Sequence, residues 1–186
     1  MAMPLAARRF TLDEYHRMGR AGVFDEDERV ELLDGRIVEM TPIGPEHAGC
    51  VGALNRLLNR LVGDRAVVWV QNPVDLSQWA ELQPDIAVLA PRSHGYRTAH
   101  PGTDDILLVI EVAVSSLEHD RDVKLPLYAA AEVPEVWLVN LPGDTIAVYR
   151  DPGPGGYATV RIARRGDSLD ALRLPGVALL VSDILG

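Results

Sequence analysis

The feature that most constrains the fold is an eight-residue run from Ile106 to Ala113, in which Glu111 is the only charged side chain. A nearly continuous apolar run of this length is typical of a β-strand that is covered on both faces. Such a strand requires layers of structure on both sides of its sheet. The chain has 186 residues, enough for one domain with a full core, so we expect a single domain over residues 1–186.

Composition narrows the class of protein. Hydrophobic residues make up 47% of the chain and charged residues 24%, as in soluble globular proteins. No apolar run approaches the roughly 20 residues that a membrane-spanning helix needs. The segment from Met1 to Phe10 has no apolar stretch after its two arginines, so we expect no signal or transit peptide and a cytoplasmic protein. The single cysteine, Cys50, excludes an internal disulfide, and we expect it to be buried.

The formal net charge of −9 weakens the case for a nucleic-acid partner, because Lys and Arg make most contacts to phosphates. The distribution of charge matters as well as its total. Acidic residues concentrate at residues 25–28 and 118–122, whereas arginines at positions 8, 9, 161, 164 and 165 could form local positive patches. Solvated surface charge is the simpler interpretation of each cluster. The net charge therefore does not decide the question.

Two short-range signals organise the N-terminal part of the chain. Thr11 and Glu14 form a capping box, which predicts a helix from about residue 12 to 20. Asp34-Gly35 lies between two apolar segments, and both turn residues tolerate positive φ. We therefore expect an antiparallel hairpin around this dipeptide.

Two polar residues near these signals have two interpretations each. Glu31 lies on the strand face opposite Val30 and Leu32, where a solvent-facing side chain is the plainer expectation. His47 lies in the first turn of a helix that Pro45 should begin and that should end at about Val62, at the start of its core-facing stripe. It is either a structural histidine or a site residue.

The rest of the chain predicts mostly strands, over residues 66–70, 72–76, 86–89, 135–140, 145–150 and 157–163, with one or two more short strands before about residue 181. A long loop over residues 90–104 holds His94 and His100, neither of which has an evident metal-ligand partner. A helical pattern covers residues 115–131, where Pro126 implies a late helix start or a kink. This order of elements predicts a mixed sheet flanked by helices.

Two carboxylates interrupt the central apolar strands. Asp85 leads into the strand that begins at Ile86, and Glu111 lies within the next strand. If these strands are neighbours, the two side chains can converge, and a pair of oxygen ligands suits Mg²⁺ or Mn²⁺. Alternatively, Asp85 caps a turn after proline and Glu111 pairs with an arginine inside the core.

Lys124 is the only lysine among the 18 basic Lys and Arg residues. A chain that uses arginine at its other cationic positions is expected to keep a lysine where a planar guanidinium would not serve. Lys124 could orient a nucleophile or stabilise a developing oxyanion near the two carboxylates. The alternative is an ordinary surface lysine.

These residues together resemble a known family. The spaced set is Pro84-Asp85, Glu111-Val112-Ala113, Ser115-Ser116, Asp120, Lys124, Tyr128 and residues 134–139. It resembles the Uma-type endonucleases, which belong to the restriction-endonuclease-like PD-(D/E)xK superfamily. The likeness extends over most of the chain, from the Glu31 to Gly35 segment onward, and includes His47. It implies an α/β/α core with a mixed central sheet, preceded by a helix and hairpin in residues 1–40 and followed by C-terminal strands in residues 141–186.

The resemblance also implies roles for particular residues. Asp85 and Glu111 would be ligands of a divalent metal. The lysine that superfamily members carry two residues after the glutamate is Ala113 here, and Lys124 on the following helix would replace it. Glu31, His47 and Asp120 match further family positions and are additional site candidates without assigned roles.

Three hypotheses follow for function. The first is a Mg²⁺-dependent (or Mn²⁺-dependent) DNA endonuclease with Asp85, Glu111 and Lys124 as catalytic residues; a homodimer would suit cleavage of both strands. The second is a catalytically inactive nucleic-acid or protein-binding module on a nuclease fold. The third is a metal-dependent hydrolase of another phosphoester, which an acidic surface would hinder less.

Overall fold

The computed structural model describes residues 7–25 and 27–186; Met1 to Ala6 and Glu26 lie outside the described residues, so the expectation about a leader segment and part of the first acidic cluster are not addressed. The elements follow in the order α1 (Leu12–Arg20), β1 (Val30–Leu33), β2 (Arg36–Glu39), α2 (Pro45–Val62), β3 (Val67–Val70), β4 (Val74–Ser77), β5 (Ala80–Leu82), β6 (Ile86–Leu89), β7 (Ile106–Ala113), α3 (Leu117–His119), a π-helical turn (Asp120–Lys124), α4 (Leu125–Ala130), β8 (Glu135–Asn140), β9 (Thr145–Gly153), β10 (Gly156–Arg164), β11 (Ser168–Asp170), β12 (Ala178–Leu180) and α5 (Val181–Leu185).

A six-stranded sheet in the order β10-β9-β8-β7-β6-β3 forms the centre of the fold. Strands β7 and β8 pair in parallel, whereas the other neighbours pair antiparallel, so the sheet is mixed as predicted. Strand β7 contributes Leu108, Ile110 and Val112 to the hydrophobic core on one face and Val109 and Ala113 to the core on the other. The expectation of a strand covered on both faces is confirmed.

A second, antiparallel sheet in the order β2-β1-β5-β4 lies over one face of the central sheet. Its β1–β2 hairpin turns at Asp34 and Gly35, which adopt φ angles of 50° and 76°, as the dipeptide predicts. Helix α1 begins at the Thr11 capping box, in which the Glu14 backbone N–H donates to the Thr11 hydroxyl. Tyr15 on this helix packs against the outer face of β1.

Helix α2 covers the opposite face of the central sheet. Pro45 stands at its first turn and Gly63, with φ of 54°, follows its last residue, as predicted. Leu54 and Leu58 are fully buried against β6 and β7, and Cys50 is buried as expected. The fold is therefore a mixed α/β structure with helices on both sides of the central sheet. Within the described residues, no helix has both the length and the apolar character needed to cross a membrane.

Over residues 115–131 the helical pattern is interrupted just before Pro126, in agreement with the expected late start or kink. Helix α3 leads into the π-helical turn, whose Leu125 backbone N–H donates to the Asp120 carbonyl, and α4 begins at Leu125. Pro126 follows directly and has no N–H to continue an α-helical ladder. This accounts for the π-helical turn, in which the hydrogen bond spans five residues instead of four. The turn buries both Asp120 and Lys124. Strand β5 and helix α5, of three and five residues, had no sequence signal long enough to predict them.

Candidate active site

The antiparallel pairing of β6 and β7 brings Asp85 and Glu111 to one end of the central sheet. Ile86 pairs with Ile110, so Asp85 lies opposite Glu111, and the expectation that these strands are neighbours is confirmed. The Asp85 backbone N–H donates to Glu111 Oε2 at 3.2 Å, and Asp85 Oδ2 accepts from the Val112 N–H at 2.9 Å. Each carboxylate is thus held by the backbone of the other strand.

Lys124 reaches this pair from the π-helical turn. Its Nζ lies 3.4 Å from Glu111 Oε1 and 3.1 Å from Glu31 Oε1. The lysine side chain is 7% exposed, so the alternative of a surface lysine is wrong. The alternative partner for Glu111 is wrong as well, because its cation is this lysine and not an arginine.

Glu31 is buried, and the expectation that it faces solvent is wrong. All four residues of β1 are buried, because the second sheet is covered on both faces. Glu31 Oε1 accepts a hydrogen bond from the Gln83 backbone N–H at 2.7 Å in addition to its contact with Lys124. An exposed face was inferred from strand alternation alone, which says nothing about what packs on the second face.

His47 and Asp120 approach the same place from two helical elements. His47 Nε2 lies 2.9 Å from Asp85 Oδ2, and its buried Nδ1 has no hydrogen-bond partner among the described residues. Asp120 Oδ2 accepts from the Ser116 hydroxyl at 2.6 Å. Pro45 starts α2 so that His47 falls in its first turn and points toward the carboxyl pair.

One cavity of about 630 Å³ is lined by all six candidate residues, Glu31, His47, Asp85, Glu111, Asp120 and Lys124. Its rim includes the loop over residues 40–44 and the segment that precedes α3. The structure thus brings together every site residue that the sequence indicates, although their chemical roles remain predictions.

The charges in this cavity do not balance. Among the six candidate residues, four carboxylates face one lysine. The rest of the lining adds Glu39, Glu46 and Arg29, so it carries four more negative than positive side chains if all are ionised. Burial raises the pKa of Glu111 to about 8; nearby Lys124 opposes this shift and Asp85 adds to it. Burial also raises the pKa of Asp120, against the hydrogen bond from Ser116. A cavity with this excess of carboxylates is suited to bind a cation.

Lys124 responds in the opposite direction. Burial by itself lowers the pKa of a lysine, but the carboxylates of Glu111, Glu31 and Asp120 outweigh it and raise the Lys124 pKa above its ordinary range. The ammonium group therefore stays charged at neutral pH.

Two further side chains, those of Tyr128 and Gln71, contact the candidate set. The Tyr128 hydroxyl, fully buried, donates to Glu111 Oε1 at 2.6 Å. Gln71 donates through Nε2 to Asp85 Oδ1 at 3.2 Å and has a φ of 50°, which is unusual for a residue other than glycine. Tyr128 already belongs to the set of residues that carries the family resemblance, and it lies four residues after Lys124 along the helical segment. No sequence signal points to Gln71.

Comparisons with known proteins agree on the kind of fold. The family model Uma2, described as "Putative restriction endonuclease", matches residues 12–182. A solved structure, described as a "putative nuclease belonging to DUF820" from Anabaena variabilis ATCC 29413, superposes with a TM-score of 0.76 at 16% sequence identity. That superposition covers 95% of this chain and 97% of the other. No curated protein matches the chain.

Proposed function

The chain belongs to the Uma2 family of restriction-endonuclease-like proteins, and from this premise we propose that it is a divalent-metal-dependent endonuclease that hydrolyses phosphodiester bonds in DNA. One observation carries the proposal: Asp85, Glu111 and Lys124 come from three separate elements and meet in one largely buried cavity. A buried group of like charges is costly unless it is compensated, so its assembly without a function would be unfavourable.

The residues present fit a hard divalent cation. Asp85 and Glu111 supply carboxylate oxygens, the ligand type that Mg²⁺ and Mn²⁺ prefer, and the cavity carries an excess of negative charge. Asp85 and Glu111 would hold the ion. When bound, such an ion lowers the pKa of a coordinated water and offsets the charge that develops on a phosphoryl group.

Lys124 acts as a fixed positive charge and hydrogen-bond donor. Its raised pKa keeps the ammonium protonated, so it does not serve as a general base. Glu31 and Glu111, at 3.1 and 3.4 Å, hold Nζ at the cavity wall, where it can orient the attacking water or stabilise a non-bridging phosphate oxygen.

His47 and Tyr128 position the two carboxylates. His47 Nε2 contacts Asp85 Oδ2, and the Tyr128 hydroxyl donates to Glu111 Oε1. Each contact leaves the partner carboxylate with fewer accessible rotamers and so limits the geometry of the pair. In the reaction, the attacking water loses one proton to solvent and its oxygen forms a bond to phosphorus, the opposite P–O ester bond breaks in line, and the leaving oxygen gains one proton from solvent.

The test is cleavage of supercoiled and linear DNA with Mg²⁺ or Mn²⁺. We expect wild-type cleavage in either metal, none in EDTA, and a loss of at least about 100-fold in Asp85→Asn and Lys124→Ala, the magnitude typical of lost electrostatic stabilisation. Asp64→Asn is the matched control, because Asp64 is an exposed acid outside the cavity. Equal cleavage by wild type and both site variants would refute the assignment of the site.

The rival functions give different results in the same experiment. DNA binding without cleavage, under any metal, would identify a binding module that has kept the nuclease fold. Hydrolysis of a small phosphodiester such as bis(p-nitrophenyl) phosphate, with DNA left intact, would identify a hydrolase of another phosphoester, for which the net charge of −9 is less of an obstacle. Direct conversion of supercoiled to linear DNA would support a homodimer with two symmetric sites.

A further inference from the structure

A second group of ionisable side chains lies away from the cavity, beneath helix α1. His16 on α1, Asp75 on β4 and Glu81 on β5 each offer one donor atom, and these three atoms all lie within 4.8 Å of one another. Asp75 and Glu81 are direct partners across the β4–β5 pair, so their side chains leave the same face of the sheet. None of the three lines the cavity of the proposed nuclease site.

The two groups occupy opposite faces of the second sheet. Leu32 pairs directly with Glu81 and therefore shares its face, which α1 covers. Glu31 is the neighbour of Leu32 along β1 and therefore points to the other face, toward Lys124. An ion bound by His16, Asp75 and Glu81 would thus be separate from one held by the nuclease carboxylates.

The pairing of Asp75 with Glu81 carries an energetic conflict. Two carboxylates directly opposite each other on neighbouring strands destabilise a sheet. The Glu81 side chain is only 5% exposed, so water screens this repulsion weakly. Burial raises the pKa of Glu81 to about 7, although the hydrogen bond from His16 opposes the shift and Asp75 adds to it.

Asp75 shows that the protein leaves part of this group unsatisfied. Its Oδ1 is buried and accepts no hydrogen bond from an N–H or hydroxyl group among the described residues. The group that the Asp75 carboxyl meets across the strand pair is the second acid, Glu81. His16 Nε2 lies 2.6 Å from Glu81 Oε2 and so compensates only one of the two acids. Buried polar atoms are almost always paired, so an unpaired carboxylate oxygen beside a second carboxylate and an imidazole indicates a missing positive partner.

From this geometry we propose that His16, Asp75 and Glu81 form a binding site for a divalent transition-metal ion of the Zn²⁺ type. One imidazole nitrogen and two carboxylate oxygens form a mixed donor set that suits Zn²⁺, Mn²⁺ or Co²⁺, whereas Mg²⁺ prefers oxygen ligands alone. The ion supplies the positive charge that the two opposed acids lack.

The site is accessible and has a fourth donor close by. The His16 side chain is 33% exposed and, with His100, lines a shallow hollow of about 350 Å³. The His100 ring centroid lies 6.2 Å from that of His16, and the Asp75 backbone N–H donates to the carbonyl of the adjoining Pro101 at 2.9 Å. His100 is not among the side chains whose donor atoms lie within 4.8 Å of one another, so it would complete the coordination only if its ring turned toward the ion. The ion would then link α1, the edge of the second sheet and the long loop over residues 90–104.

The test uses two titrations of the full-length protein. Binding of Zn²⁺ alone is measured by calorimetry, and binding of Co²⁺ alone is measured by visible absorption. Asp85→Asn is titrated first, and His16→Ala, Asp75→Asn and His94→Ala are then made in the Asp85→Asn background, so that binding at the nuclease carboxylates does not mask binding at this group. We expect Asp85→Asn to keep one tight Zn²⁺ site. His16→Ala should bind Zn²⁺ at least about 100-fold more weakly, because mutation of residues that merely hydrogen-bond to metal ligands already lowers metal affinity by about 10–100-fold. Asp75→Asn preserves side-chain shape and should give a similar loss.

His94→Ala is the matched control, because His94 is an exposed histidine in the same long loop and does not belong to the group. It should bind Zn²⁺ as Asp85→Asn alone does, and Zn²⁺ should raise its melting temperature but not that of His16→Ala in the same background. Equal affinity in His16→Ala and His94→Ala, with circular dichroism showing that both are folded, would overturn the proposal. Loss of all Zn²⁺ binding in Asp85→Asn would also overturn it, whatever that result means for the nuclease site.

Discussion

Replacement of Lys124 by methionine tests the electrostatics of the cavity without any assay of cleavage. Lys124→Met keeps the length and apolar stem of the side chain but removes the charge that faces Glu31 and Glu111 at 3.1 and 3.4 Å. Removal of one partner from a buried ion pair costs about 3–5 kcal/mol. Both Lys124 and Glu31 are under 10% exposed, so solvent screening does not reduce this figure much.

Protonation of Glu111 moderates the loss. Because burial already raises its pKa to about 8, Glu111 holds a proton for much of the time at neutral pH. We therefore expect the lower end of the range, about 3 kcal/mol, in metal-free protein at neutral pH. For a chain of this size that loss corresponds to a fall in Tm of about 6–12 °C.

The loss should depend on pH with a definite sign. The pKa of Glu111 is higher in the folded protein, at about 8, than its ordinary value of 4.5. This raised pKa contributes fully to the free energy of unfolding below about pH 4.5, where Glu111 is protonated in both the folded and the unfolded protein. The contribution is lost as the pH rises toward 8. Lys124 opposes the shift, so its removal raises the Glu111 pKa further. The variant should be closest to wild type at acidic pH and should fall behind as the pH rises.

Urea unfolding in EDTA, followed by tryptophan fluorescence at several pH values between about 5 and 9, measures this difference. Trp137 is fully buried and so reports on the core. Arg121→Met is the control, since Arg121 lies in the same π-helical turn but is 49% exposed and pairs only with Asp122, and it should unfold as wild type does. A Lys124→Met variant as stable as wild type above pH 8, or one whose deficit grows toward acid, would refute the reasoning.

Three further predictions concern single groups. Tyr128→Phe, measured above about pH 8 where Glu111 is ionised, should cost about 1.5–3 kcal/mol, the range for a hydrogen bond to a charged acceptor. Tyr157→Phe, which loses a bond to a backbone carbonyl, should cost about 0.5–1.5 kcal/mol in the same urea titration, and the reverse order would contradict the contact. Gly35→Ala should lower stability by about 1–2 kcal/mol, because its φ of 76° is strained for any side chain, and an unchanged unfolding midpoint would argue against the turn. Cys50 should resist a thiol reagent in the native protein and react fully in urea, since burial raises the pKa of its thiol to about 11, and rapid labelling of the folded protein would show that the site is open.

Much of the fold could be predicted because its signals are local. The capping box at Thr11, the Asp34-Gly35 turn and the Pro45 helix start each depend on the backbone preferences of a few adjacent residues, and the elements appear where these signals place them. The apolar run that ends at Ala113 likewise indicates a strand with two covered faces whatever packs against it. The identities of Asp85 and Glu111 as acids in apolar surroundings were evident for the same reason.

Contacts between residues that lie far apart along the chain could not be predicted so directly. Glu31 was expected to face solvent because alternation within one strand does not show what covers its second face. Lys124 was singled out by composition, yet its contact with Glu31 requires the π-helical turn that Pro126 imposes. Without that turn, the spacing from the strand would not place its ammonium at the carboxylates.

The sequence by itself determined most of the longer elements, the two-sided central strand and the resemblance that groups Asp85, Glu111 and Lys124. Only the tertiary structure decided which carboxylates share a cavity, and it revealed Asp75 opposite Glu81 beneath His16, which no spacing along the chain suggests. The reason is physical. Local preferences depend on neighbours in sequence, whereas the pKa of a group, its pairing and its capacity to bind a metal depend on what the packed fold brings within a few ångströms.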